Sequence, residues 1–230
     1  MTYHPISDLA AFVGPPLDEG PLPALFYFAL SAEDSLKKKP FNQPVKYLEH
    51  SSTIRIFSVT LPAHENHFPP EKAMEVWKER MTQGEEIIPP FIEHVKGLIS
   101  EYTPYITTCG VAGLSRGAFI ACHVAAVCPE ITHILGYAPL TRLDYAPHLN
   151  LETLTNKLSE KKLRFYMGNN DTRTGTENAF AFIHKLAKEK RHSAPVEFIL
   201  GPSIGYQGHG TSTEVFHEGA RWIQKELIHE

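Results

Sequence analysis

The chain has 230 residues, 42% hydrophobic and 21% charged, with a formal net charge of −4 and an isoelectric point near 6.4. Those values suit a globular domain with a sizeable core and give no electrostatic reason to expect a nucleic-acid partner. No apolar stretch approaches the roughly 20 residues of a bilayer span, and Met1-Thr2-Tyr3-His4-Pro5 lacks the basic-then-apolar layout of a secretory leader. Cys109, Cys122 and Cys128 form no CxxC pair and sit in apolar runs, so reduced, buried thiols and a cytoplasmic location are expected.

Residues 1–23, punctuated by Gly14-Pro15-Pro16 and Pro21-Leu22-Pro23, read as an irregular lead-in to a single domain spanning 1–230. Strand-like and helix-like segments then alternate, the pattern of a mainly parallel sheet covered on both faces. The strand candidates are short, continuous apolar runs, as strands buried on both faces should be. They are Ala24 to Ser31, Thr53 to Leu61, Ile106 to Gly113, His133 to Ala138, Leu163 to Gly168 and Val196 to Leu200. The Lys37-Lys38-Lys39 run between the first two reads as a solvated loop. Helical spacing covers Glu71 to Met81 and Phe91 to Tyr102, with Pro89-Pro90 breaking or kinking the chain between them. It recurs over Arg116 to Cys128, Glu177 to Lys190 and Thr213 to Ile228, the last with a cap available near Ser212. The expected architecture is a three-layer α/β/α domain around a mainly parallel sheet of about six strands.

The chemistry centres on Gly113-Leu114-Ser115-Arg116-Gly117, between a strand end and a helix start. A serine on a sharp strand-to-helix turn takes a strained backbone and needs small neighbours two residues away on each side, which Gly113 and Gly117 supply. Helix N–H groups and dipole would then favour negative charge at Ser115. Such a serine needs a base, and a carboxylate to orient the base; in a fold with the serine on this strand-to-helix turn, these follow it in the order acid then histidine, each on a loop after a strand. Asp171 comes directly off the LRFYMG strand, at the carboxyl end where open α/β sheets place their sites. His209, in Gln207-Gly208-His209-Gly210, follows the last strand. His217 and His229 lie in or near the last helix, His184 within the preceding one and His192 in a polar connection, so each fits worse. Asp144, after the preceding strand, is the rival to Asp171, whose loop is richer in turn residues.

Four segments, Leu61-Pro62-Ala63-His64-Glu65, GLSRGAF, GNNDTRTGT and QGHG, resemble the α/β-hydrolase superfamily in its prolyl-oligopeptidase-like and dienelactone-hydrolase-like esterase branch, from about Leu25 to the C-terminus. The first two strands of that family's eight-stranded sheet are not evident, so the resemblance implies a sheet trimmed to begin at the third. The family's His-Gly loop is replaced by Phe28-Ala29-Leu30-Ser31-Ala32-Glu33. An oxyanion hole in this family uses the backbone N–H after the nucleophile, here Arg116, and one from that loop, for which Leu30 and Ser31 are the candidates. The stretch from Thr141 to Lys162, where a lid is common, is too short for a large cap, so an open or thinly covered pocket is expected.

The resemblance implies ester hydrolysis through an acyl-enzyme on Ser115, with no metal or organic cofactor and a small-molecule ester as partner. Peptidase or acyl-peptide hydrolase activity is the alternative within enzymes, and a non-catalytic binding module the alternative outside them. Tyr27, Phe28, Phe68 and Tyr206 could line an acyl pocket or simply pack. Arg116, Arg142 and Arg173 could hold an anionic group or form surface ion pairs. Oligomeric state is not legible in the sequence.

Overall fold

The protein opens with a hairpin rather than an irregular lead-in. In a computed structural model that describes residues 1–49, 53–65, 68–190 and 196–228, β1 (Tyr3–Ser7) pairs antiparallel with β2 (Ala10–Val13), which pairs antiparallel with β4 (Arg55–Val59). β3 (Leu22–Phe28) lies between β4 and β5 (Ile106–Leu114), and β6 (Ile131–Tyr137), β7 (Lys162–Gly168) and β8 (Val196–Gly201) extend the sheet. The order is β1-β2-β4-β3-β5-β6-β7-β8, and every neighbouring pair from β4 onward is parallel.

The expectation of about six strands, with the first two absent, is therefore corrected to eight. The physical reason is local. β1 carries Pro5, tolerated because the strand is at the sheet edge, and the register slips between Pro5 and Ser7. β2 is four residues long. Neither gives the continuous apolar run that marks the central strands. The loop after β2 is pinned by the buried Arg55 guanidinium, which donates to the carbonyls of Pro15, Pro16, Gly20 and Tyr105 at 2.6 to 2.9 Å.

The helices cover both faces. α3 (Ala73–Thr82), α4 (Ile88–Tyr102), α5 (Arg116–Ala125) and α7 (Thr176–Glu189) bury Trp77, Ile92, Phe119 and Phe182 in one core cluster with Phe26 and Phe28 of β3. α1 (Ala32–Lys37), α2 (Gln43–Leu48) and α8 (Thr213–Ile228) bury Leu36, Val45, Phe216 and Ile223 in the other, with Leu25 and Tyr27 of the same strand. Alternate side chains of β3 thus enter opposite layers, which is why its sequence is apolar throughout. A single turn, α6 (Thr155–Leu158), lies in the connection between β6 and β7.

Pro89 and Pro90 occupy the first turn of α4, where a proline costs no hydrogen bond, so they start this helix instead of breaking one. The lysine run is only partly a loop: Lys37 closes α1, with an exposed ion pair at 2.9 Å to Glu33, while Lys38 and Lys39 follow the helix as exposed, non-helical residues. The Ser212 hydroxyl accepts from Val215 N at 3.3 Å, capping α8. His192 and His229 lie outside the described residues. All three cysteines are buried and unpaired, and no helix among the described residues is long and apolar enough to cross a membrane.

Candidate active site

The carboxyl ends of the central strands bring the sequence-derived residues to one place. β5 runs straight into α5 through Ser115, whose backbone stands at φ 57° and ψ −114°. That left-handed conformation is strained for a residue with a side chain. It is held by bonds on both sides: Ser115 N donates to Tyr137 O at 2.8 Å, and Ser115 O accepts from Ala118 N at 3.1 Å and Leu140 N at 3.2 Å. The two glycines have the steric role the pattern implies. A Cβ on Gly113 would fall 2.1 Å from the Gly117 carbonyl carbon, and one on Gly117 would fall 1.8 Å from Phe28 O.

Ser115 Oγ lies 2.9 Å from His209 Nε2, and His209 Nδ1 lies 2.6 Å from Asp171 Oδ2. Asp171 is 2% exposed. Its Oδ1 accepts from the N–H groups of Arg173 at 2.9 Å and Thr174 at 3.0 Å, and its Oδ2 accepts from Thr174 Oγ1 at 3.0 Å. Burial pushes this carboxyl up, but the bond from His209 and the donors of Thr174 outweigh it and hold the acid below its ordinary range. Asp144 is elsewhere, exposed and ion-paired with Arg142 at 2.9 Å.

His209 and Asp171 sit on adjoining loops stitched to each other. Thr172 N donates to Gln207 O at 2.9 Å, and Asn170 N to Ser203 Oγ at 2.6 Å. The contact is close enough that a Cβ on Gly208 would lie 2.4 Å from Asn170 O.

The loop after β3 departs from the expectation for the second oxyanion donor. Ser31 is the N-cap of α1, its hydroxyl accepting from Asp34 N at 3.0 Å, and it does not line the cavity at Ser115. Leu30 does line that cavity, but its N–H already donates to the buried Ser35 hydroxyl at 2.9 Å, which also accepts from Ala29 N at 3.3 Å. A six-residue helix separated from β3 by three residues is the reason: it takes Ser31 as its cap and sets the Ser35 hydroxyl against the N–H groups of Ala29 and Leu30. Arg116 is the first residue of α5, where leading N–H groups lack partners within the helix.

The cavity beside Ser115 measures about 590 Å³. Its walls come from the α1–α2 connection (Pro40, Phe41), Pro70 just before α3 and Met74 within it, together with Tyr206 and Phe216. No residue between Thr141 and Lys162 lines it, in keeping with the absence of a large cap. Of the four aromatics considered from sequence, Tyr206 is 77% exposed and lines the cavity, whereas Tyr27 and Phe28 are in the core and Phe68 lies outside the lining.

Sequence reasoning missed His64, although the LPAH segment pointed to it. His64 is 5% exposed, and its Nε2 accepts from Arg116 Nη2 at 2.7 Å. The Arg116 guanidinium carbon also sits 5.4 Å from the centroid of Trp77, whose indole N–H donates to Pro62 O at 2.8 Å. Burial, and then the charges of Arg116 and Lys38, push the His64 imidazole down to about 3, so it is neutral.

No family model matches the chain, and no curated protein matches it by sequence. Solved structures do resemble it. A cold-adapted esterase from an Arctic intertidal metagenomic library matches with a TM-score of 0.68 at 16% identity, over 95% of this chain and 88% of that one. Est1E from Butyrivibrio proteoclasticus, with ferulic acid bound, matches with a TM-score of 0.69 at 12% identity over 100% of both chains. The esterase Pf2001 from Pyrococcus furiosus matches with a TM-score of 0.65 at 17% identity, over 96% and 84%. Identities this low carry the fold alone, and the fold of this chain is that of the α/β-hydrolases.

Proposed function

We propose that this chain, acting as one domain, is a serine hydrolase that cleaves carboxylic esters of small molecules through an acyl-enzyme on Ser115. The observation that carries the reading is the unbroken line of hydrogen bonds from Ser115 Oγ through His209 to Asp171, at 2.9 and 2.6 Å. The esterase fold neighbours, one of them holding ferulic acid, agree with it. Three buried, unpaired cysteines support a cytoplasmic site of action.

In this mechanism His209 Nε2 takes the Ser115 proton as Oγ attacks the ester carbonyl carbon, and Asp171 stabilises the imidazolium and keeps the neutral ring's proton on Nδ1. The tetrahedral oxyanion accepts from Arg116 N–H and Leu30 N–H. Leu30 N–H must leave Ser35 Oγ for the oxyanion, an exchange favoured because a charged acceptor binds an N–H more strongly than a neutral hydroxyl. His209 then protonates the departing alkoxide. Water, deprotonated by the same nitrogen, attacks the acyl carbonyl and releases the acid and Ser115.

The test is labelling with a fluorophosphonate, mapped by peptide mass, beside hydrolysis of p-nitrophenyl butyrate and p-nitroanilides. The expected result is a single adduct on Ser115, ester turnover above anilide turnover, and loss of both labelling and turnover in Ser115→Ala. A folded protein that neither labels nor hydrolyses any activated ester overturns the reading.

A further inference from the structure

The cavity at Ser115 holds more positive charge than the proposed reaction uses. Among the described residues, Lys38, Arg116 and Arg173 line it against a single lining carboxylate, Glu71, and of the three cations only Lys38 has an ion pair, an exposed one with Asp34 at 3.4 Å. This stands out in a chain whose net charge is −4.

Arg116 is the informative member. It is 6% exposed. Its Nη2 donates to neutral His64 at 2.7 Å and to Pro70 O at 3.4 Å, and its Nη1 is buried without a hydrogen-bond partner among the described residues. It makes no ion pair there either, so nothing cancels its charge. Arg55 shows the contrast: buried at 0% exposure, it spreads its donors over four backbone carbonyls. The chain completes a buried guanidinium where only the fold is at stake and leaves one incomplete beside the nucleophile.

Arg173 compounds the imbalance. It lies on the Asp171 loop, exposed and without an ion pair among the described residues, and after burial its charge is the largest influence lowering the Arg116 pKa. Burying an uncompensated cation and setting a second beside it destabilises the free protein. An anion in the cavity removes both costs at once.

We propose that the cavity takes an ester bearing a second, anionic group, a carboxylate or a phosphate, which Arg173 and Lys38 contact directly while Arg116 contributes a fixed buried charge. The ester half of this statement rests on the hydrolase reading; the anion half does not.

Two measurements keep the halves apart. The first compares p-nitrophenyl hemiglutarate with p-nitrophenyl pentanoate, which has the same chain length without the carboxylate. The acidic ester is expected to show a kcat/KM higher by about tenfold at low ionic strength, with the preference shrinking as salt is added and in Arg173→Gln. The second is calorimetric titration of the Ser115→Ala protein with glutarate and, separately, methyl phosphate. At least one should bind, about tenfold more weakly once Arg173→Gln or Arg116→Gln is added, and the tighter of the two identifies the anion. Arg173 is exposed, so its variant keeps the test valid if Arg116→Gln fails to fold.

Equal turnover of the two esters, with neither anion binding, overturns the anion site while leaving the hydrolase reading intact. Anion binding that is insensitive to both substitutions also overturns it. Anion binding that depends on Arg173, in a protein whose parent cleaves no ester, supports the anion site and overturns the hydrolase reading instead.

Discussion

Replacing Asp171 by Asn tests the site at its most constrained point. The carboxylate accepts four hydrogen bonds: two from backbone N–H groups at Oδ1, and those of Thr174 Oγ1 and His209 Nδ1 at Oδ2. An amide keeps the first two only by leaving its oxygen at the Oδ1 position, which forces its NH2 into the place of Oδ2. That group can only donate, so His209 Nδ1 must become an acceptor and the ring proton moves to Nε2. Nε2 lies 2.9 Å from Ser115 Oγ and in that tautomer cannot take the serine proton. The expected loss in kcat is about ten-thousandfold, or about 5 kcal/mol in the barrier, with little change in KM. The assay is p-nitrophenyl butyrate hydrolysis, with thermal unfolding to check that the variant is folded. Asp144→Asn, run beside it, is expected to leave the rate unaltered, since Asp144 is exposed and paired with Arg142. A folded Asp171→Asn protein losing less than about tenfold, or an Asp144→Asn protein losing as much as Asp171→Asn, refutes the assignment.

Gly117→Ala places a Cβ 1.8 Å from Phe28 O, so the β3 end and α5 must separate. We expect a stability loss of about 1–3 kcal/mol in denaturant unfolding together with a large fall in kcat, and a normal midpoint contradicts the steric account. Ser35→Ala strips the acceptor from Ala29 N and Leu30 N, with an expected cost of about 1–3 kcal/mol; an unchanged unfolding midpoint rules out Ser35 as the support of that loop. Stability should also fall as pH is lowered from about 6.5. His64 is held at about 3 and His123 at about 4 in the folded protein, so the unfolded chain binds protons in that window that the folded one refuses. Asp171, held below its ordinary value, adds a stabilising contribution that is full above the carboxylate range and disappears as pH falls through its folded value. Thermal unfolding against pH measures both, and His64→Gln should flatten the upper part of the curve; an identical slope in that variant excludes His64 as a source.

Central strands and long helices were readable because their burial leaves a local imprint. β3 through β8 each carry a mainly apolar run, and the helical spacing marks α8 at its observed bounds, Thr213–Ile228. What escaped has no such imprint. β1 is an edge strand with a proline and exposed alternate residues, while α1 and α2 have six residues each and owe their existence to packing against the sheet rather than to a periodic pattern. The positions of Ser115, Asp171 and His209 followed from chain order and strand ends. The surroundings of the loop after β3 did not: Ser35 reaches back five and six residues from a short helix without a periodic pattern, and His64 meets Arg116 over 52 residues of separation, which no spacing rule detects.

The stitching of the Asp171 and His209 loops has a mechanical consequence. The loops that carry Asp171 and His209 share hydrogen bonds at Thr172, Asn170, Gln207 and Ser203 as well as through the imidazole, whereas Ser115 is fixed to the sheet by β5 and α5. The three groups therefore belong to two bodies, not three. Motion of the outer strands carries carboxylate and imidazole together and leaves the ring's orientation intact. What such motion changes is the placement of the imidazole against Ser115, including the 2.9 Å between Oγ and Nε2.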